Sequence, residues 1–455
     1  MPYLQIENDL SLIKATKKIL TLALPMAGSQ LVSVASGFLC MAMLAALGHD
    51  VLAASALIFT TQLSIMVTGM SLLFSLSVLV GHTYGARDYP VIGNYVQQGW
   101  TLALIISIPI MLLFWHIDSV LLFFGQSKET ASIVHIYFHA FVWAVIPSFL
   151  STCNMQFGYG IHKKTLILSV SAMSVVVLLA IAYVLIFGKM GLPKLGVAGL
   201  GIATAAQYSF FFIFTTLFFY YEKSFRRFEL FRYRVHQHSE HFIQMFKIAW
   251  PISIQMSGEM LSFFVGGILI GWLGTIALAA FQIVNQYYFL IVIPIFSLSQ
   301  ASGILVGQAC GSKQFHEIKK ISYASIGIVL AASILVACVL LAFPKHLVAF
   351  YIDVTNSENI ATLHLTILIF TVIAFSQIFD AVRNIVIGIL RGLFDTRFPM
   401  VISLLTIWVI GMPLSYIFAF PLNFGAVGFV FGGMLGMLTG TIVMLYRWYV
   451  RMNKY

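Results

Sequence analysis

Long uncharged apolar stretches recur along this chain, each cut from the next by charges and turn residues, and they limit what it can fold into. The stretches predict about twelve helices, beginning near residues 18, 52, 93, 130, 165, 196, 243, 276, 321, 360, 398 and 425. Crossing the hydrocarbon of a bilayer takes roughly 20 apolar residues, and each stretch supplies a run of that order. Only 9% of the residues are charged, against about 25% in soluble globular proteins, and the mean hydropathy is +0.97. A soluble globule, a disordered chain and a coiled coil are thereby excluded. The expected fold is an all-α polytopic membrane protein with twelve transmembrane helices.

Twelve spans put both termini on one side of the membrane, and the distribution of Lys and Arg says which. The first segment (Lys14, Lys17, Lys18), the even-numbered connections and the tail (Arg447, Arg451, Lys454) hold 19 of the 25. The odd-numbered connections hold only Lys128, Lys189, Lys194 and Lys345. This bias predicts cytoplasmic termini and accounts for the net charge of +10. The basic stretch from Arg226 to Arg234 lies in the one long cytoplasmic connection, where contact with anionic lipid explains it better than nucleic acid does. Glu7, Asp9, Lys14, Lys17 and Lys18 precede the first apolar run without a short h-region and cleavage site, so a cytoplasmic entry helix is expected rather than a signal peptide.

The chain also repeats itself. At an offset of 226 residues Pro25 pairs with Pro251, Gly48 with Gly274, Leu52-Ala53-Ala54 with Leu278-Ala279-Ala280, and LVGHTYGARDY from Leu79 with LVGQACGSKQF from Leu305. Further on the register drifts, with Gly160 matching Gly392 and Gly196-Val197-Ala198-Gly199 matching Gly425-Ala426-Val427-Gly428. Two homologous lobes of six spans each follow: residues 1–221, a polar linker at 222–239, and residues 240–455. Six is even, so both lobes enter the membrane in the same sense and are related by a pseudo-two-fold axis along its normal. Parallel repeats of this kind are typical of transporters, with the site near the midplane.

Of fifteen acidic residues, only Glu259 and Asp380 fall inside spans, where an ionised carboxylate is expensive and a functional role is the default reading. Glu259 lies 12 residues beyond Lys247, about 18 Å along a helix, and Asp380 lies 11 residues before Arg391, about 16 Å. Two helices of opposite direction thus carry the two carboxylates to one depth, where they are candidates for proton carriage or for holding Na+. Arg383 follows Asp380 by three residues on the same helical face. Two roles are open to it: a structural ion pair, or a switch released when Asp380 gains a proton. Gln255, Gln282, Asn285 and Gln286 are candidates to line a substrate cavity or to bond helix to helix.

Other signals carry less. Cys40, Cys153, Cys310 and Cys338 are too scattered for a disulfide framework or a structural metal. His135 and His139 stand at i and i+4 but lack a third ligand, and His236, His238 and His241 lack acidic or cysteine company. Gly158 and Gly160 before Lys163, Lys164 and Thr165 do not make a P-loop, so no cofactor and no ATP-driven step is expected. The 40 Phe and 19 Met residues are mostly for helix packing, some for a deformable apolar cavity.

The twelve-span repeat, the paired VG-x-x-x-G turns, the acid in span seven and the run DAVRNIVIGILRG from Asp380 to Gly392 together resemble the multidrug and toxic compound extrusion (MATE) family, most closely its NorM-like branch. That resemblance implies two lobes in a V and alternating-access export of cationic or amphipathic compounds in antiport with H+ or Na+. It places the cation site of the carboxyl lobe at Glu259 and Asp380. It also exposes a departure: Cys40 stands where the family has an aspartate in span one, and Leu178 and Ala182 where it has asparagines in span five. Ion coupling is therefore expected to rest on the second lobe. The expected setting is a bacterial inner membrane, with the chain acting as a monomer among lipids on small organic molecules and not on nucleic acid. A flippase for lipid-linked saccharides is the alternative, and an intramembrane enzyme would need a nucleophile or metal constellation that the sequence does not offer.

Overall fold

The computed structural model describes residues 11–123, 125–232 and 238–453. Glu7, Asp9, Arg234, His236 and Lys454 lie outside the described residues. Among those described, twelve helices are long and apolar enough to cross a membrane. They are α1 (Leu12–Ala45), α2 (Ala54–Gly85), α3 (Tyr89–Trp115), α4 (Lys128–Gly160), α5 (Lys164–Phe187), α6 (Val197–Tyr221), α7 (Glu240–Gly271), α8 (Thr275–Gly311), α9 (Phe315–Ala342), α10 (Ser357–Gly392), α11 (Arg397–Ala419) and α12 (Gly425–Met452). Helix is the natural answer to an apolar solvent, since it satisfies every backbone group within the segment. Buried hydroxyls are carried the same way: Ser107 donates to the Ala103 carbonyl, Thr204 to Leu200 and Ser322 to Ile318.

The sequence repeat is written into the backbone. Left-handed residues end the same helices in both halves: Gly48 and Gly274 (φ 125° and 104°), Arg87 and Lys313 (61° and 59°), His162 and Phe394 (62° and 59°). The hydrogen bonds that close these turns match too, with Asp88 N–H donating to Thr83 O and Gln314 N–H to Ala309 O. Helix contacts repeat as well. A Cβ on Gly160 would stand 2.6 Å from Val80 Cγ1 and 3.2 Å from Ser77 O, and one on Gly392 would stand 3.0 Å from Val306 Cγ1 and 2.5 Å from Gly303 O. Residues 80 and 306, and 77 and 303, are related by the same offset of 226.

Backbone contacts divide the chain into two compact units, one of residues 25–253 and one of residues 254–455 with 1–24. The cuts fall inside helices, at Pro25 of α1 and just after the matching Pro251 of α7, where proline removes a ladder hydrogen bond. In the first unit Phe114, Phe138 and Phe141 form an aromatic core, and Phe157, Phe219, Phe225 and Phe228 a second one. The central basic stretch packs into that second cluster: Phe228 and Leu230 are buried, Gln97 Nε2 donates to the Leu230 carbonyl, and the Arg227 guanidinium lies 4.5 Å over the Tyr89 ring. The His135 and His139 rings lie 3.9 Å apart, tilted by 38°, and His139 stacks on Trp115. In the second unit Asp395 accepts from Arg447 Nε and Nη2 and from Arg451 Nε, tying the α10–α11 turn to the end of α12.

Candidate functional site

α10 carries Asp380, Arg383 and Asn384 on one face, because positions three and four apart meet on a helix. Arg383 donates to Asp380 Oδ1 through Nη2 at 2.8 Å and through Nε at 3.3 Å. Its third nitrogen, Nη1, reaches Glu259 Oε1 on α7 at 3.2 Å and Ser403 Oγ on α11 at 3.2 Å. The two membrane carboxylates are thus brought together with a guanidinium between them. Side-chain exposure is 4% for Asp380 and Arg383 and 16% for Glu259, so the attraction acts with little solvent screening. Gly440 of α12 makes room for the arginine stem, since a Cβ there would stand 3.3 Å from Arg383 Cδ.

A ring of further donors surrounds the carboxylates. Tyr288 of α8 donates its hydroxyl to Asp380 Oδ2 at 2.9 Å, and Asn384 Nδ2 donates to Asp380 Oδ1 at 3.0 Å. Gln255, one turn before Glu259, donates through Nε2 to Glu259 Oε1 and to Ser403 Oγ, both at 3.2 Å. Its oxygen accepts from Arg391 Nη2 at 3.1 Å. Ser403 lies two residues before a stretch of π-helix at Leu405–Gly411, a feature that is frequent at functional sites. Of the sequence candidates, Gln255, Glu259, Asp380 and Arg383 converge. Gln282 and Gln286 are exposed, Asn285 is half-buried, and none of the three hydrogen-bonds to the cluster.

Tyr288, Asn384, Arg391 and Ser403 were not among the sequence candidates. Asn384 was findable by its i+4 spacing from Asp380. Arg391 enters the sequence analysis only as a mark of depth, and Ser403 is a neutral residue six positions beyond Arg397, the one charge of α11.

The corresponding positions of the first half are neutral. Counting by the repeat, Ser33 stands for Glu259, Gln62 for Tyr288, Ser148 for Asp380 and Ser151 for Arg383. Ser29 and Tyr159 stand for Gln255 and Arg391, and they too are hydrogen-bonded, at 2.7 Å. The serines turn inward on their own helices or neighbours: Ser148 donates to Val145 O and Ser151 to Tyr208 O. A cavity of about 180 Å³ opens here, lined by Ser33, Cys40, Gln62, Tyr137, Leu178 and Gln207 among others. Tyr137 donates across it to Gln62 Oε1 at 2.6 Å. Cys40 and Leu178, two of the three departures noted in the sequence, therefore share one cavity, while the third, Ala182, is buried elsewhere in the same unit.

The profile of the MatE family matches residues 25–184 and 251–417, once in each half. The chain belongs to that family. It is 30% identical over 435 residues to a probable multidrug resistance protein NorM of Synechocystis, covering 95% of this chain and 94% of that one. It is 28% identical to a protein of the same description from Rhizobium meliloti, covering 94% and 92%. Among solved structures, the eukaryotic MATE transporter AtDTX14 superposes with a TM-score of 0.85 at 18% identity, covering 97% of this chain and 98% of that one. The Vibrio cholerae MATE transporter VcmN in its bent form gives 0.85 at 16%, covering 97% and 98%. The fold of this MatE protein is thus the all-helical, twelve-span transporter fold expected from its sequence.

Proposed function

We propose that this protein is a secondary active multidrug efflux transporter, exporting cationic or amphipathic organic compounds by alternating access in antiport with H+ or Na+. The observation that carries the reading is the buried cluster of Glu259, Arg383 and Asp380 inside spanning helices. Ionised groups at such depth are costly, and a chain that keeps three of them uses them. Glu259 and Asp380 are the coupling pair, Arg383 is their charge partner, and Gln255 is the amide beside them. The NorM relatives support multidrug compounds as the substrate class. The Lys and Arg bias supports cytoplasmic termini, and a monomer in a bacterial inner membrane completes the reading. A saccharide-lipid flippase would need cations free to meet a diphosphate, and Arg383 is held by two carboxylates instead.

Fluorescent-dye efflux from cells, with and without an imposed H+ or Na+ gradient, tests the proposal. Gradient-dependent dye loss is expected; dye retention under every gradient would remove the antiport reading.

A further inference from the structure

We infer that Arg383 is a tethered cation that occupies the place of an ion between Glu259 and Asp380 and so excludes Na+ from the coupling pair. The inference rests on the reading of those two carboxylates as the coupling site and goes on to name their ion selectivity. Its ground is the direction of every hydrogen bond around them.

A hard metal cation is held by oxygens converging on one point. Here the convergence is of donors onto the carboxylates. Asp380 Oδ1 accepts from Arg383 Nη2, Arg383 Nε and Asn384 Nδ2, and its other oxygen accepts from the Tyr288 hydroxyl. Glu259 Oε1 accepts from Arg383 Nη1 and Gln255 Nε2.

The two amides could contribute an oxygen ligand only by flipping, and both are pinned against it. Asn384 Nδ2 faces two acceptors, Asp380 Oδ1 and the Asp380 carbonyl at 2.9 Å, so its oxygen in that place would meet two oxygens. Gln255 has the carboxylate at its nitrogen end and the donor Arg391 at its oxygen end, so a flip would oppose like to like at both. The positive charge needed among these oxygens is already supplied, in planar fork geometry, by a group that cannot diffuse away. Nor is the guanidinium loosely seated, since breaking one side of a buried ion pair is strongly unfavourable. A purely structural clamp would make the same contacts, but its removal would leave no new ion site.

Binding of radioactive Na+ to the purified full-length protein in detergent, with choline chloride holding ionic strength, reads the difference. Wild type is expected to show no saturable Na+ binding. Arg383→Gln should gain it, with affinity at least about tenfold above any residual wild-type binding, and the added change Glu259→Gln should abolish it. If Arg383→Gln does not yield a monodisperse protein, Arg383→Lys replaces it, because a single ammonium does not span both carboxylates and a smaller gain is expected. Saturable Na+ binding by wild type that is lost in Glu259→Gln would overturn the inference while leaving the coupling pair intact. A well-folded Arg383 variant with no gain would overturn it as well. Failure of the underlying reading shows separately, as wild-type dye efflux by Glu259→Gln and Asp380→Asn.

Discussion

Arg391 donates to Gln255 Oε1 at 3.1 Å, and that one hydrogen bond decides which way the Gln255 amide faces Glu259. A residue in the last turn of α10 thereby acts on a carboxylate of α7 through an intervening side chain. The repeat sharpens the point, because Ser29 and Tyr159 keep the same contact in the first half, where neutral Ser33 stands in the place of Glu259. The contact is common to both halves, and its use beside a carboxylate belongs to the second.

Replacing Gln255 by Leu should therefore do more than remove one bond. It strips a donor from Glu259 and from Ser403 and an acceptor from Arg391, all in a partly or fully buried setting. Leaving such groups unsatisfied costs about 1–3 kcal/mol each, and more for a charged one. The expected outcome is a lower melting temperature together with weakened gradient-coupled efflux; unchanged coupling in a stable Gln255→Leu protein would deny the amide any part in the site.

Glu259→Gln and Asp380→Asn should each abolish gradient-coupled efflux while the protein still inserts. They should differ in stability. Asp380 takes four side-chain hydrogen bonds and is almost fully buried, whereas Glu259 takes two and is 16% exposed. Breaking a buried pair costs about 3–5 kcal/mol, so Asp380→Asn should approach that range and Glu259→Gln should fall below it. Thermal unfolding in detergent checks the order, and efflux at equal expression checks the coupling.

Much of this was open to reading from the sequence, and the limits have physical causes. Twelve apolar stretches, a repeat of 226 residues and the common depth of Glu259 and Asp380 all follow from one-dimensional rules, because a bilayer forces helices and a helix converts residue number into height. Arg383 beside Asp380 and Asn384 beside both were within reach of helical spacing. That Arg383 also reaches Glu259 depends on how α7 and α10 approach, which spacing along one helix does not hold. Tyr288 lies about 120° around α8 from Gln282, so the polar face suggested by Gln282, Asn285 and Gln286 is not the face that meets Asp380. The 180 Å³ cavity of the first half is not marked in the sequence, because neutral hydroxyls, amides and a thiol cost far less in a membrane than a charge does and so stand out less.

Cys40→Ala should leave transport largely intact. Cys40 is 3% exposed, in a cavity whose named polar lining is otherwise hydroxyl and amide, so this cavity offers no carboxylate to cycle an ion. Efflux close to wild type is the expected result. Complete loss of coupling at normal expression would instead put the ion in the first half.

The matched glycines should both resist a side chain. A Cβ at Gly160 would stand 2.6 Å from Val80 Cγ1 and 2.8 Å from Val80 Cβ, which side-chain rotation does not move, and one at Gly392 would stand 2.5 Å from the Gly303 carbonyl oxygen. Overpacking of this kind costs about 1–3 kcal/mol, so Gly160→Ala and Gly392→Ala should each lose stability in that range. Comparing melting temperatures of the two purified variants with wild type decides it, and an unchanged melting temperature in either would contradict the contact geometry.

The exchange step makes the strictest demand on the cluster. A cationic substrate drawn to Glu259 or Asp380 must take a carboxylate from Arg383, and any other cation that neutralises the pair must weaken that substrate in equal measure, because linkage is reciprocal. Protonating a carboxylate removes the attraction directly, so substrate binding should weaken as pH falls. Na+ finds donors rather than oxygens around the pair, so raising Na+ at fixed ionic strength should leave substrate binding unchanged in wild type and weaken it once Arg383 is Gln. Equilibrium binding of a fluorescent organic cation to the purified protein, measured across pH at zero and high Na+, tests both halves of the statement. Loss of the pH dependence in Glu259→Gln would support the shared site, and binding indifferent to pH and Na+ in every variant would rule out exchange at these carboxylates.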